Sequence, residues 1–256
     1  MTPKILMIDI ETAPALGMFW SLFDRYIDPE WISQPGFTLC WSAKWLGKSK
    51  MHFSSVRKHG MEKMLEKVWL LLDEADAVVH YNGTKFDIPT LNREFVMNDF
   101  AVPSTFKEVD LINTVKKRFR FMSNKLDFVA KQLGVETKLQ HKGKEMWKGC
   151  MAGRKADWLM MEEYNKQDVV VLEAVYRKLL PWIQGHPNFA LFVDDETRRC
   201  PHCGGTHLQR RGYYYTETMR YPKYQCMDLK NCGKWSRGRL TDLPIEKRRG
   251  LLVGVK

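Results

Sequence analysis

The sequence predicts an α/β protein, with a mixed sheet flanked by helices and a small C-terminal module. Three observations carry this. Short apolar runs of strand length alternate with longer runs of helical period, the pattern of a layered α/β domain. A hairpin signal, Gly47-Lys48-Ser49, joins two early strands, so part of the sheet is antiparallel. Four of the six cysteines crowd into residues 200–232, beyond the last long helical pattern. That marks a second unit with its own source of stability.

Taken in order, residues 5–10 form an apolar strand carrying Asp9, with Glu11 just beyond. Residues 13–36 are a long connection rich in aromatics: Phe19, Trp20, Phe23, Tyr26 and Trp31. A structureless loop of this length is uncommon in a compact domain, so a short helix is expected over Met18–Tyr26. Core packing of its rings is favoured over stacking on a nucleic-acid base. Residues 37–46 and 50–56 read as the hairpin strands, which with the first strand make an antiparallel meander. A helix follows over 61–75, with Met64, Leu65, Val68, Trp69 and Leu72 on one face. Next come a strand at 77–81, a helix from Asp87 to Asn98, and a short strand ending at Asp110. Basic helical patterns cover 111–119 and 126–133, the second stopped by Gly134. Residues 138–153, polar and glycine-bearing, are expected to form a mobile loop that includes Cys150. A long helix is predicted over 155–182, stopped by Pro181 and Gly185. The expected domain organisation is a main α/β domain at 1–185, a linker at 186–198, a cysteine module at 199–240 and a basic tail at 241–256.

Of the 256 residues, 44% are hydrophobic, enough for a true core. No apolar run is long enough to span a membrane and no leader pattern opens the chain, so a cytosolic protein is expected. In that compartment the cysteines are better read as metal ligands or inert thiols than as disulfides. The net charge of +11 is uneven. Residues 196–256 hold 14 Lys+Arg against 5 Asp+Glu, whereas the first 195 hold 27 against 25. The excess belongs to the tail and points to a polyanionic partner there.

Asp9 and Glu11 stand two apart on a strand, so they point to one face. Two like charges there are costly to desolvate, and a divalent cation between them would relieve the repulsion. Taken alone, Asp-x-Glu is more simply a strand end facing water. Two later stretches change the balance. A strand and an Asn82-Gly83 turn place Asp87 near a helix N-terminus, and Tyr164 and Asp168 lie four apart on a helix face.

In this order, Asp9-Ile-Glu11-Thr12, Asn82-x-x-x-Phe86-Asp87 and Tyr164-x-x-x-Asp168 resemble the DEDD family of 3′–5′ exonucleases, in its tyrosine version. The resemblance covers about residues 4–180, and the chain looks most like stand-alone nucleases of phages and bacteria. It implies a ribonuclease H-like fold and phosphodiester hydrolysis with two Mg2+ or Mn2+ ions. By the same resemblance Asp9 would bridge both ions, Glu11 and Asp168 would complete one site, and Asp87 would serve the other through water. Tyr164 would orient the attacking water, since a phenol is a weak base at neutral pH. Thr12 and Asn82 are weaker candidates for contacts to a ligand carboxylate or a terminal sugar. Asp110, His80 and His141 are read as structural. DNA is favoured over RNA as substrate by analogy alone. A ribonuclease trimming RNA 3′ ends, a structure-selective endonuclease and a non-catalytic adaptor are the alternatives.

Cys200-Pro-His-Cys203-Gly and Cys226-x5-Cys232-Gly form two pairs resembling a zinc ribbon, with one structural Zn2+ expected. Five residues in the second pair replace the usual two, so His202 or His207 is kept as an alternative ligand. Between the pairs, Arg210, Arg211, Tyr213, Tyr215 and Arg220 suit phosphate neutralisation with base stacking.

Overall fold

The computed structural model describes residues 2–21, 27–135 and 142–255. It divides into one unit of Lys4–Tyr176 and another of Met1–Pro3 with Arg177–Lys256. The elements of the first unit are β1 (Ile5–Thr12), β2 (Leu16–Gly17), β3 (Ile32–Gln34), β4 (Thr38–Trp45), β5 (Met51–Ser55), α1 (Val56–His59), α2 (Met61–Glu74), β6 (Ala77–His80), α3 (Asp87–Met97), β7 (Lys107–Asp110), α4 (Leu111–Arg118), α5 (Leu126–Gln132), α6 (Lys144–Met151) and α7 (Lys155–Leu179), whose last turn runs into the second unit. The five-stranded sheet has the order β5-β4-β1-β6-β7. The β5, β4 and β1 strands pair antiparallel, and β1, β6 and β7 pair parallel.

β1 is central, and its alternation decides what each face receives. Leu6, Ile8 and Ile10 point into a core built with Trp41 and Ala43 of β4, Met64, Leu65, Val68 and Leu72 of α2, and Ile88, Leu91 and Phe95 of α3. Ile5, Met7, Asp9 and Glu11 take the opposite face, so the same alternation that buries the apolar residues brings both acids to one side. There α7 arrives, and Lys44 of β4 pairs with Glu173 at 2.5 Å. A second core joins Leu39 and Cys40 of β4 to Met146 and Cys150 of α6 and to Trp158, Met161 and Tyr164 of α7. Parallel strands covered by helices on both faces need near-continuous apolar sequence, which Ile5–Ile8 and Ala77–Val79 supply.

Two expectations are corrected. In the connection after β1, residues 18–21 are not helical and Pro29–Trp31 is a 3-10 turn, while residues 22–26 of the expected helix lie outside the described residues. Leu16–Gly17 pairs antiparallel with Ile32–Gln34, and the Met18 N–H bonds the Trp31 carbonyl at 3.0 Å. A Cβ on Gly17 would meet the Trp31 carbonyl oxygen at 2.9 Å, so this close pairing depends on glycine. Phe19 and Trp20 are not core: they are 54% and 87% exposed, and Trp20 meets Trp31 edge-on at 5.6 Å. Phe23 and Tyr26 lie outside the described residues.

The predicted loop at 138–153 is also corrected, because Lys144–Met151 is helical; His141 lies outside the described residues. Met146 and Cys150, four apart, bury one face against α7, and tertiary packing overrides the polar composition. Gly149 lies in this helix against the Asp157 carboxylate, with no room for a Cβ. We expect Gly149→Ala to lower stability by about 1–3 kcal/mol through overpacking. Thermal melting of the variant checks this, and an unchanged Tm would show that α6 shifts freely.

Candidate active site

Three elements carry the four acids. Asp9 and Glu11 leave the end of β1 opposite Ser42 and Cys40 of β4, and the register slips between Glu11 and Thr12. Such an irregularity re-aims side chains at a strand end, and Thr12 sits at it. Asp168 comes from the buried face of α7 and is 2% exposed. One carboxylate oxygen from each of Asp9, Glu11 and Asp168 lies within 4.8 Å of the others. That spacing suits a hard cation taking oxygen ligands, and it is costly for bare carboxylates. Their field reaches Cys40: burial first, then Glu11 and Asp9, push its thiol well above the usual range.

Asp87 is not part of that three-acid group. It opens α3, where a carboxylate meets the positive end of the helix dipole. Its side chain accepts the Ile10 N–H at 3.2 Å, just past the last β1–β6 pair at Met7 and Val79. Asp87 thus sits against the β1 backbone between the two acids of that strand. Burial lifts its pKa to about 6, against the lowering effects of His80 and the Ile10 N–H.

The turn that delivers Asp87 is built from residues read as structural. Asp110 caps α4 through the Ile112 N–H and also accepts the Asn82 N–H at 2.8 Å and the Thr84 N–H at 3.3 Å. Burial works to raise its pKa, but His80 and these N–H donors outweigh it and hold Asp110 below the usual range. Asn82 adopts a φ of 70°, which asparagine tolerates better than most residues. Gly83 packs where a Cβ would strike the fully buried His80 ring. Asn82 lines an open cleft of about 520 Å3 with Tyr81, Lys116, Asn124 and Lys125.

Tyr164 lies on the same face of α7 as Asp168, is 8% exposed, and meets Trp147 edge-on at 6.0 Å. Asn165, which the motif reading passed over, donates to Asp9 Oδ2 at 2.8 Å. Its signal was helical period: Met161, Asn165, Asp168 and Val169 share the inward face at three- and four-residue steps.

In the second unit, β8 (Leu208–Tyr215), β9 (Arg220–Cys226) and β10 (Trp235–Arg237) form a three-stranded antiparallel sheet, followed by the short α8 (Ile245–Arg249). Cys200, Cys203, Cys226 and Cys232 converge with all Sγ atoms within 4.8 Å. Two of the separations, Cys200–Cys232 and Cys203–Cys226, are 3.6 and 3.7 Å. A tetrahedron of thiolates about 2.3 Å from zinc has edges of roughly 3.8 Å, so the donor set fits Zn2+. These separations are also far too long for disulfides. Hydrogen bonds from Cys203 and Cys232 pull the Cys200 thiol pKa well down, and its hydrogen bond with Cys200 pushes Cys203 up to about 12. Thiols so crowded cannot all ionise without a cation.

The long second spacing is absorbed locally. Asp228 folds the inserted residues into a turn, its side chain accepting from Asn231 and its carbonyl from Cys232 and Gly233. His202 points elsewhere, its Nε2 lying 3.1 Å from the Ile183 carbonyl, and neither it nor His207 joins the four-cysteine group. The stretch expected as linker contains a 3-10 turn at Phe189–Phe192, and His186 stacks between Phe189 and His202 at 5.7 and 4.8 Å.

The basic and aromatic residues form two faces. On one, Arg210 donates to the Tyr213 hydroxyl, Arg220 lies 4.5 Å over the Tyr213 ring, and Asp242 pairs with both arginines. Tyr215, 67% exposed, flanks Tyr213. Arg211 bonds Gln209. On the other, Arg237 lies 4.1 Å over Tyr221 and 5.7 Å from Tyr214, and Lys223 lies 5.1 Å over Trp235.

The sequence model of the family described as RNase_H superfamily matches residues 37–180. The chain belongs to the RNase H superfamily. Among solved structures it is similar to the family B DNA polymerase from the hyperthermophilic archaeon Pyrobaculum calidifontis, with a TM-score of 0.52 and 21% identity over 70% of this chain and 25% of that one. At that identity the likeness shows the fold, and the superfamily chain spans about a quarter of the polymerase's length. No curated protein matches the chain. Membership of the superfamily supports a nuclease-type hydrolase acting on nucleic acid. No described helix is long and apolar enough to cross a membrane.

Two expectations follow from the geometry. The raised Asp87 pKa means that its protonated form is favoured by folding. That contribution is complete below the unfolded value of 3.8 and is lost as pH rises through about 6. In buffer without Mg2+ or Mn2+, Asp87→Asn removes the loss. Its stability relative to the parent should climb between about pH 4 and 7, reaching roughly 3 kcal/mol by linkage. Melting both proteins across this range checks it, and a pH-independent difference would refute it. The second concerns zinc. Metal analysis should find one Zn2+ per chain, and replacing Cys200 and Cys203 together by serine should release it and unfold the second unit. Zinc-free protein prepared under reducing conditions, with that unit folded, would contradict the assignment.

Proposed function

We propose that this protein is a metal-dependent 3′–5′ exonuclease hydrolysing phosphodiester bonds, with DNA favoured as substrate, and that its cysteine unit is a zinc ribbon that helps to hold nucleic acid. The observation that carries the reading is the convergence of Asp9, Glu11 and Asp168 to within 4.8 Å, on the sheet face covered by α7. The buried Asp87 lies against the same strand.

Asp9, Glu11 and Asp168 would hold one divalent ion, and Asp9 with Asp87 a second. Two such ions supply charge neutralisation for the attacking and leaving oxygens of an in-line displacement. The protein's own part is placement. The carboxylates repel phosphate by themselves and would place it at the end of β1 only through the cations they hold, and Tyr164, braced by Trp147, would orient a water with its hydroxyl. Lys116, Lys125 and Asn82 around the neighbouring cleft offer donors to phosphates and sugars of the same strand. The exposed Phe19 and Trp20, on the connection that follows Glu11, offer faces for an unpaired terminal base. In the ribbon, the exposed Tyr214 and Trp235 with Arg237 and Lys223 form a face suited to backbone neutralisation and stacking.

Oligonucleotides labelled at the 5′ end test the direction of attack. With Mg2+ they should shorten as a ladder from the 3′ end, and matched DNA and RNA strands separate DNA cleavage from RNA trimming. Internal cuts would instead favour the endonuclease alternative. Asp168→Ala should abolish cleavage while binding persists, and Tyr164→Phe should slow it by about ten- to a thousandfold, the scale of losing one positioned hydrogen bond in a transition state. Cleavage by the Asp168→Ala protein would rule out the assignment and favour another site. For the ribbon, Arg237→Ala should weaken DNA binding and reduce the salt slope by about 0.7–0.9. Filter binding at several salt concentrations measures it, and an unchanged slope would remove Arg237 from the interface.

A further inference from the structure

Asn165 is fully buried at 0% exposure. Its Nδ2 donates to Asp9 Oδ2 at 2.8 Å and contacts the Asp9 backbone carbonyl at 3.2 Å. One amide therefore grips the side chain and the main chain of the same residue. Its other end is left in the protein interior: Asn165 Oδ1 is buried without a hydrogen-bond partner. A buried, unsatisfied amide oxygen is unfavourable. Flipping the amide would not help, because oxygen would then face the Asp9 carboxylate. Packing alone would favour an apolar side chain of similar volume here. The position is thus organised for Asp9 at the expense of local satisfaction.

We propose that Asn165 is a positioning residue: its two-point hold sets the rotamer of Asp9 so that this carboxylate meets Glu11 and Asp168 around a shared divalent cation. The inference rests on the metal-site reading above. The amide carries no charge, so it holds Asp9 without competing for the cation, as Lys or Arg would. It also donates a charge-assisted hydrogen bond to a carboxylate crowded by two like charges. Outer partners of this kind orient metal-binding groups, and losing them typically costs metal affinity rather than the fold.

Asn165→Leu tests this, because leucine keeps the branched shape, deletes the donor and removes the unsatisfied oxygen. Asn165→Ala serves as a smaller second variant should leucine not fit. The full-length, zinc-loaded protein is titrated with Mn2+ without substrate, followed by electron paramagnetic resonance. Melting temperature without Mn2+ is measured alongside, as is the dependence of cleavage on Mn2+. The Mn2+ midpoint should rise by about 10- to 100-fold. The melting temperature of Asn165→Leu should be equal or higher, and the oligonucleotide KM at saturating Mn2+ should be unchanged. An unchanged Mn2+ midpoint in either folded variant overturns the inference. So does a lowered melting temperature in both variants with no change in the Mn2+ midpoint, the signature of a packing role. If the unmutated protein cleaves no oligonucleotide, the exonuclease reading fails, while a shifted Mn2+ midpoint in the variants still supports the positioning role.

Discussion

Carboxylates held close together repel, and this repulsion is the constraint around which the first unit is built. Asp9, Glu11 and Asp168 are brought within 4.8 Å of one another, with Asp168 almost wholly buried. Burial strengthens repulsion by lowering the local dielectric response. The arrangement persists because each acid is carried by an element committed elsewhere. β1 is locked between β4 and β6, and α7 is locked by the core around Met161 and by the Lys44–Glu173 pair. The energy of packing thus holds charges in a geometry they would not adopt alone, ready for a cation to stabilise.

The same economy shapes the approach to Asp87. Its raised pKa reflects burial, and the Ile10 N–H only partly offsets it. Around it, Asp110 gathers three backbone N–H groups from the turn and from α4, while His80 fills the space beneath Gly83. A turn satisfied so completely has little freedom to move, which suits a carboxylate that must stay in place. Asp110 illustrates why a conspicuous acid need not be chemical: its oxygens are engaged by the backbone.

In the second unit the constraint is size. Its three strands bury few apolar side chains, and Cys200, Cys226 and Cys232 with Cys203 and Leu208 form its own tight cluster. Small units of this kind depend on a metal or disulfides. Arginine–tyrosine contacts stand where a larger domain would place aliphatic packing. The Tyr213 ring is thereby engaged by Arg210 and Arg220, and the Tyr214–Trp235 face carries the alternative set of exposed rings.

Strand alternation and helical period were enough to read β1, the β4–β5 hairpin, α2, α3 and α7 from the sequence. They also placed Asp9 with Glu11 on one face and Tyr164 with Asp168 on another, because these relations are local. The four cysteines were legible as a group for the same reason, since their types and glycine neighbours are local signals. What lay beyond the sequence depended on partners distant along the chain. Residues 144–151 became a helix because Met146 and Cys150 found α7, and Phe19 and Trp20 are exposed just beyond the point where Leu16–Gly17 pairs with Ile32–Gln34. Asn165 acquired its meaning only when α7 crossed β1 and set its amide against Asp9, 156 residues away in sequence. Local periodicity determines which face a side chain takes; only the packed structure decides what that face meets.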